Sequence, residues 1–285
     1  MAHPDDESFG LGAVLSTFSG AGAETSVLCF THGEASALHG VRGDLGALRE
    51  RELQEAADVL EVATVRLLDH PDGQLESVSL DTLVTEVLAM ADAVAADLLL
   101  VFDEGGVSGH PDHRRATEAA HRADDLRNLP IAAWAIPDRV ARALNAEFGT
   151  TFQGRPTRAL DIRLTVNRER QRGAIARHRS QSQANPVLWR RLELLGDVEW
   201  VRLLDAGGGW PASLWPGYRE PAAGIDAPSS GSREPLRDSV QPRRGVSGHL
   251  LDGGAADQGE GCDRLHEADS RASRGLLLDD HVAGQ

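Results

Sequence analysis

Through its first two hundred residues the chain alternates short apolar runs with amphipathic stretches of helical length, and few folds accommodate that pattern. The runs in ETSVLCFTHG, ATVRLLDHPDGQL, DLLLVFDEGG and LPIAAWAIP read as short strands. Between them, Leu45, Leu48, Leu53, Ala56, Ala57 and Leu60 recur at helical spacing behind Asp44, a candidate N-cap. SLDTLVTEVLAMADAVAA is a second amphipathic helix, and PDHRRATEAAHRADD starts a third with Pro in its first turn. ESFGLGAVLSTFSGAG reads as a helix ending in glycines. TRALDIRL and DVEWVRLLD read as strands, and TVNRERQRGAIARHRSQS as a helix. Such alternation predicts an α/β protein with a mostly parallel sheet and helices on both faces. Ligands of these sheets sit beyond the carboxyl ends of the strands. THGEAS, DHPDGQ and DEGGVSGHPDH should all emerge there.

The pattern stops near Tyr218. Every Phe, Trp and Tyr lies at or before that residue, and the remainder of the chain is rich in Gly, Ser, Pro, Asp and Arg. A segment of that kind buries too little apolar surface to offset its ordering entropy. Residues 1–218 therefore read as one domain and 219–285 as a disordered or weakly ordered tail. The formal charge of −15 argues against a nucleic-acid partner. No apolar run reaches membrane-spanning length, and no secretory signal opens the chain. Cys29 and Cys262 form no paired spacing, so neither a disulfide framework nor a thiolate metal site is expected, and a reducing cytoplasm is the simplest setting.

The tripeptide His-Pro-Asp occurs three times, as HPDD (3–6), HPDG (70–73) and HPDH (110–113). All three suit a turn or a helix start, because Pro presets φ and Asp caps. In HPDG, Gly73 completes a turn and no second ligand comes after it. The other two place a second metal-capable group three residues after the first His: Asp6 after His3, and His113 after His110. Imidazole and carboxylate are the ligands of hydrolytic Zn²⁺ sites, which keep one position for water. Two such turns meeting at one sheet edge could supply two His and one carboxylate.

AHPDDE near the start and GHPDH after a buried strand resemble the zinc-dependent PIG-L/LmbE-like de-N-acetylases, which act on N-acetylglucosamine derivatives. THGEAS, RERELQEAADVLEV, DHPDGQL and AIARHRSQ support the resemblance, which covers residues 1 to about 205. It implies a Rossmann-like fold and one Zn²⁺ per chain, held by His3, Asp6 and His113. It further implies Asp5 as general base and His110 as the electrophilic or acid partner; by chemistry, a cationic His110 would stabilise a developing oxyanion, and the Asp112 carboxylate would orient its imidazole. Arg49 and Asp72 match positions that contact sugar hydroxyls in relatives, and His178 is expected to pack beneath the site.

In members of that family AHPDDE follows a buried apolar strand. Here Met1 and Ala2 stand where that strand ends, so the first strand is expected to be missing, with the native start upstream of Met1. Three functional readings are carried from the sequence. The first is a cytoplasmic deacetylase of a small amino-sugar amide. The second is an amidase on a larger thiol–sugar conjugate, its cleft shaped by loops around 35–47 and 137–157. The third is an inactive truncated remnant. A homo-oligomer is compatible with each.

Overall fold

A short turn of helix, α1 (Asp6–Phe9), leads into α2 (Gly12–Gly20), so the single helix expected over this stretch is broken. The break lies at Gly10, where the backbone runs so close to Phe102 that a Cβ would sit 2.4 Å from its ring. The computed structural model describes residues 1–37 and 43–204. The expected tail, 219–285, and Cys262 lie outside the described residues.

The elements then follow as β1 (Ser26–Thr31), α3 (Leu45–Leu60), β2 (Thr64–His70), α4 (Leu80–Ala93), β3 (Leu99–Phe102) and α5 (Pro111–Arg127). After them come β4 (Ile131–Pro137), α6 (Asp138–Phe148), β5 (Gly154–Arg155), β6 (Ile162–Thr165), α7 (Glu169–Ile175), α8 (Arg179–Ser182), α9 (Pro186–Leu195) and β7 (Val198–Leu204). Asp44 caps α3, its carboxylate accepting from Ala47 N at 3.0 Å. Pro111 opens α5.

Two of these elements correct the sequence reading. Residues 137–157, expected as a cleft-shaping loop, hold the amphipathic helix α6. It buries Val140, Ala141 and Leu144 and ends on Gly149 at φ 69°. Each buried Val or Leu contributes about 1.5–3 kcal/mol, enough to make helix the better state there. The one helix expected over 165–182 is two, α7 and α8, parted at residues 176–178.

β1 and β2 pair in parallel. A second ladder runs β3–β4–β7–β6, with β3 parallel to β4 and β7 antiparallel to both neighbours. The sheet is thus mixed, its parallel part carrying the loops of interest. Helices α2, α3 and α7 pack against one another, as do α4 and α5. The core holds a larger cluster with Leu15, Trp134, Ile136, Leu144 and Val201, a smaller one with Phe30, Leu83, Val87 and Ala119, and a third of Phe9, Ile175, Leu188 and Leu192. Between the two ladders, among the described residues, only Met1 and Ala2 run beside β1. Met1 N donates to Leu28 O at 2.9 Å, and Phe30 N and Thr31 N donate to Met1 O and Ala2 O at 3.2 and 3.0 Å. His3 therefore leaves a paired backbone and is 3% exposed. Among the described residues no helix is long and apolar enough to cross a membrane.

Candidate active site

The first His-Pro-Asp copy, the third, and the carboxylate of the second meet at the carboxyl ends of β1 to β3. His3 Nδ1 lies 3.2 Å from His113 Nε2 and 3.9 Å from an Asp6 oxygen, and His113 Nε2 lies 3.1 Å from the other Asp6 oxygen. A tetrahedral ion with bonds of about 2.0–2.1 Å holds its ligand atoms about 3.4 Å apart. Two imidazole nitrogens and one carboxylate at these separations fit a metal ion with one position left open. A second metal-capable group, His3, His110 and Asp112, adjoins the first. It would need His3 Nε2, the nitrogen that faces Asp72 Oδ1 at 3.1 Å and Asp112 Oδ2 at 3.3 Å.

Each of the three candidate ligands is fixed from behind. Asp6 accepts from the Ala2 and His3 amides at 3.1 and 3.0 Å. His113 Nδ1 faces Gly106 O and Ser108 Oγ, both at 3.2 Å, so its Nε2 is left for the ion. Gly106 sits at φ 68°, and a Cβ there would lie 3.0 Å from His113 Cβ, so glycine is needed for that carbonyl to reach the ring. His3 leans on Asp72 and Asp112. Asp112 is itself held by the Gly73 and Leu75 amides at 2.8 and 3.1 Å, and Asp72 by Ala35 N at 2.8 Å.

The cluster favours positive charge. Burial alone would lower His3, yet the Asp112 and Asp72 carboxylates and Asp6 raise it to about 10. Burial would raise Asp6, yet the facing His113 and His3 hold it well below the usual carboxylate range.

Asp5 points elsewhere. Its backbone is at φ 136°, rare for a residue with a side chain, and costs about 1–3 kcal/mol unless its surroundings compel it. They do so from several sides. The Asp5 amide donates to Glu7 Oε2 at 2.9 Å, and Arg49 Nη2 donates to Asp5 Oδ2 at 2.8 Å and to Pro4 O at 2.6 Å. Glu7 Oε1 in turn accepts from Ser8 Oγ and lies 2.5 Å from His178 Nε2, with Glu7 and His178 both fully buried. Burial pushes the Asp5 carboxyl up to about 7, with Arg49 pulling against it and Asp6 adding to it.

His110 caps α5, its Nδ1 accepting from Asp112 N at 3.1 Å. The neutral ring therefore carries its proton on Nε2. Burial and the neighbouring His3 and His113 hold it down at about 3, so the cationic form expected of it is not the one these surroundings favour. The Asp112 carboxylate expected to orient His110 faces His3 instead; the bond to His110 comes from the Asp112 backbone.

Arg49 and Asp72, matched to sugar contacts, are turned inward. Arg49 is fully buried, and its Nη1 also donates to Gly33 O at 2.6 Å. Gly33, at φ 65°, has no room for a side chain, because a Cβ would lie 2.4 Å from the guanidinium carbon. Sequence reading notes Glu7 in the metal-capable cluster at the start but gives it no role, and passes over Ser108 and Gly106 as parts of the site. Glu7 stands among the acids of the first turn of α1, where the helix dipole alone would account for it, and the other two carry no sequence signal.

A family model described as PIG-L, GlcNAc-PI de-N-acetylase, matches residues 1–123. A 1D-myo-inositol 2-acetamido-2-deoxy-alpha-D-glucopyranoside deacetylase from Saccharomonospora viridis is 30% identical over 228 residues, covering 65% of this chain and 84% of the relative. A deacetylase of the same name from Corynebacterium glutamicum is 30% identical over 163 residues, covering 48% of this chain and 54% of the relative. Against relatives such as this one, the chain spans about half their length. Among solved structures, the A40926 pseudoaglycone deacetylase Dbv21 is similar in fold, with a TM-score of 0.56 at 18% identity, covering 73% of this chain and 97% of that one.

Proposed function

The chain belongs to the PIG-L family of de-N-acetylases, and on that footing we propose that it is a zinc-dependent hydrolase removing the acetyl group from an N-acetylglucosamine-type amide. The reaction consumes water and yields acetate and the free amino sugar. The observation that carries the reading is the convergence of His3 Nδ1, His113 Nε2 and the Asp6 carboxylate at ligand-like separations.

These three residues would hold Zn²⁺, which when bound supplies Lewis acidity to activate water and polarise the amide carbonyl. Asp5 sits beside them with its carboxyl free of the metal set. Raised to about 7, it is matched to taking a proton from water and returning it to the departing nitrogen near neutral pH. The Arg49 guanidinium keeps Asp5 aimed and its affinity for the proton in check. His110, neutral and protonated at Nε2, donates a hydrogen bond toward the developing oxyanion. Asp112 and Asp72 hold the His3 ring from its outer nitrogen. The sugar class follows the relatives' names. An inositol aglycone is the first to test, because both relatives described above act on such a glycoside.

The direct test measures acetate release from N-acetylglucosaminyl-inositol by the zinc-loaded chain. Release should stop with a chelator, and Asp5→Asn should slow it by about 10²–10⁴-fold while leaving bound zinc unchanged. Stoichiometric zinc with no acetate from that glycoside or from N-acetylglucosamine itself would overturn the reading.

A further inference from the structure

The helix start that bears His113 is regular, but the loop behind it is not. Residues 103–109, after β3, bring the Gly106 carbonyl and the Ser108 hydroxyl to His113 Nδ1. Within that loop Val107, β-branched and 2% exposed, stands at φ 58°, directly after Gly106 at 68°. Sterics leave a β-branched residue in that region only where its surroundings compel it.

They do so from one segment. Gln153 N donates to Val107 O at 2.7 Å and Thr151 Oγ1 to Ser108 O at 3.3 Å. Arg155 of β5 sets two nitrogens, Nε and Nη2, each 2.6 Å from Asp103 Oδ2, and Arg202 of β7 donates to the other oxygen. Asp103 is 1% exposed, and its own carbonyl accepts from Gly106 N at 2.6 Å, so the clamped residue is bonded to the one that faces His113. The segment is anchored in turn. β5 pairs with the end of β4, and Asn145 of α6 accepts from Phe152 N at 2.8 Å and donates to Phe152 O at 3.0 Å.

We propose that Arg155 is a positioning residue for the metal centre. Held on Asp103, it fixes the 103–109 loop so that Gly106 O stays on His113 Nδ1 and Nε2 stays turned to Asp6 and His3. The inference rests on the metal reading of His3, Asp6 and His113. Two N–H groups on one buried carboxylate oxygen fix direction as well as distance, which an ammonium does not reproduce. Because Arg202 stays on Asp103, removing Arg155 leaves no uncompensated buried charge, and what is lost is orientation.

The test compares the full chain with its Arg155→Ala and Arg155→Lys variants. Hydrogen exchange at the Gly106 and Gln153 amides is read without metal. Zinc affinity, by competition with a chromophoric chelator, and the visible absorption of the Co²⁺-substituted chain are read with it. In Arg155→Ala the two amides should exchange at least about tenfold faster, zinc should bind about 10–100-fold more weakly, and the Co²⁺ bands should shift. Arg155→Lys should restore only part of each. Thr151→Val, which leaves the ion pairs intact and removes one hydroxyl, should move all three the same way by a smaller factor. Wild-type zinc affinity and Co²⁺ bands in Arg155→Ala overturn the proposal whatever the exchange shows, since a merely structural pair would move the exchange alone. A wild type that takes up no zinc overturns the metal reading and this proposal with it, a result distinct from equal affinity in the two chains.

Discussion

At 110–113 the His-Pro-Asp tripeptide opens a regular helix. His110 is the N-cap at φ −63°, Pro111 fills the first turn, and His113 points inward from the helix one turn on. At 3–6 the same tripeptide makes a turn with Asp5 at φ 136°, an N-cap position with no side-chain cap bond. The first arrangement is what local preferences choose unaided. The second is imposed by Glu7, Arg49 and the buried His178 behind them. Half of the site is thus cheap and local. The other half stores strain that distant residues hold, and that half carries both the candidate base and two of the three candidate metal ligands. Between them, the copy at 70–72 contributes its carboxylate to His3 while its own His70 pairs with Glu86 at 2.7 Å.

If this contrast is real, the two halves should fail differently. Glu7→Ala leaves His178 buried without its carboxylate and releases the Asp5 amide. It should cost about 3–5 kcal/mol in urea unfolding, and a loss near that of a surface site would break the comparison. Asp112→Asn touches the support of His3 and should weaken zinc binding about 10–100-fold, read by competition with a chromophoric chelator, with little change in the melt of the metal-free chain.

The pH dependence sharpens the same contrast. Burial would lower His178, but Glu7, through its charge and hydrogen bond, raises it overall. A group raised on folding contributes fully below its unfolded value of about 6.5, and that contribution fades as pH climbs through the folded value. The urea midpoint of the wild type should therefore fall on the alkaline side of about 6.5. His178→Gln should flatten that fall; parallel curves for the two proteins would show that the pair carries no such linkage. Smallest of all, Pro111→Ala in the helical half should cost under about 1 kcal/mol, because only a preset φ is lost. A cost rivalling that of Glu7→Ala would remove the asymmetry.

Much of the fold is legible in the sequence. Asp44 and Pro111 mark helix starts by chemistry that acts within a few residues, and apolar runs such as VLCF and LLVF need only burial on two faces to be read as strands. α6 is readable too, since Val140, Ala141 and Leu144 carry its stripe and Gly149 its stop. Pro137 ahead of it and the polar residues between favour a loop reading, and burial of the stripe overrides them. The break at 176–178 leaves no comparable local sign. There His178 faces Glu7 at 2.5 Å across 171 residues of chain.

The motifs AHPDDE and GHPDH alone settled which residue types could gather around an ion, because ligand chemistry belongs to side chains and their spacing in a turn. Which nitrogen of His3 faces His113 and Asp6, which carboxylates brace its other side, and that Arg49 turns in toward Asp5 were decided only by tertiary structure. Those choices depend on backbone amides and carbonyls from the loops after β1, β2 and β3 and from residues 2–4 arriving within hydrogen-bond reach, a proximity that packing creates and no stretch of sequence contains.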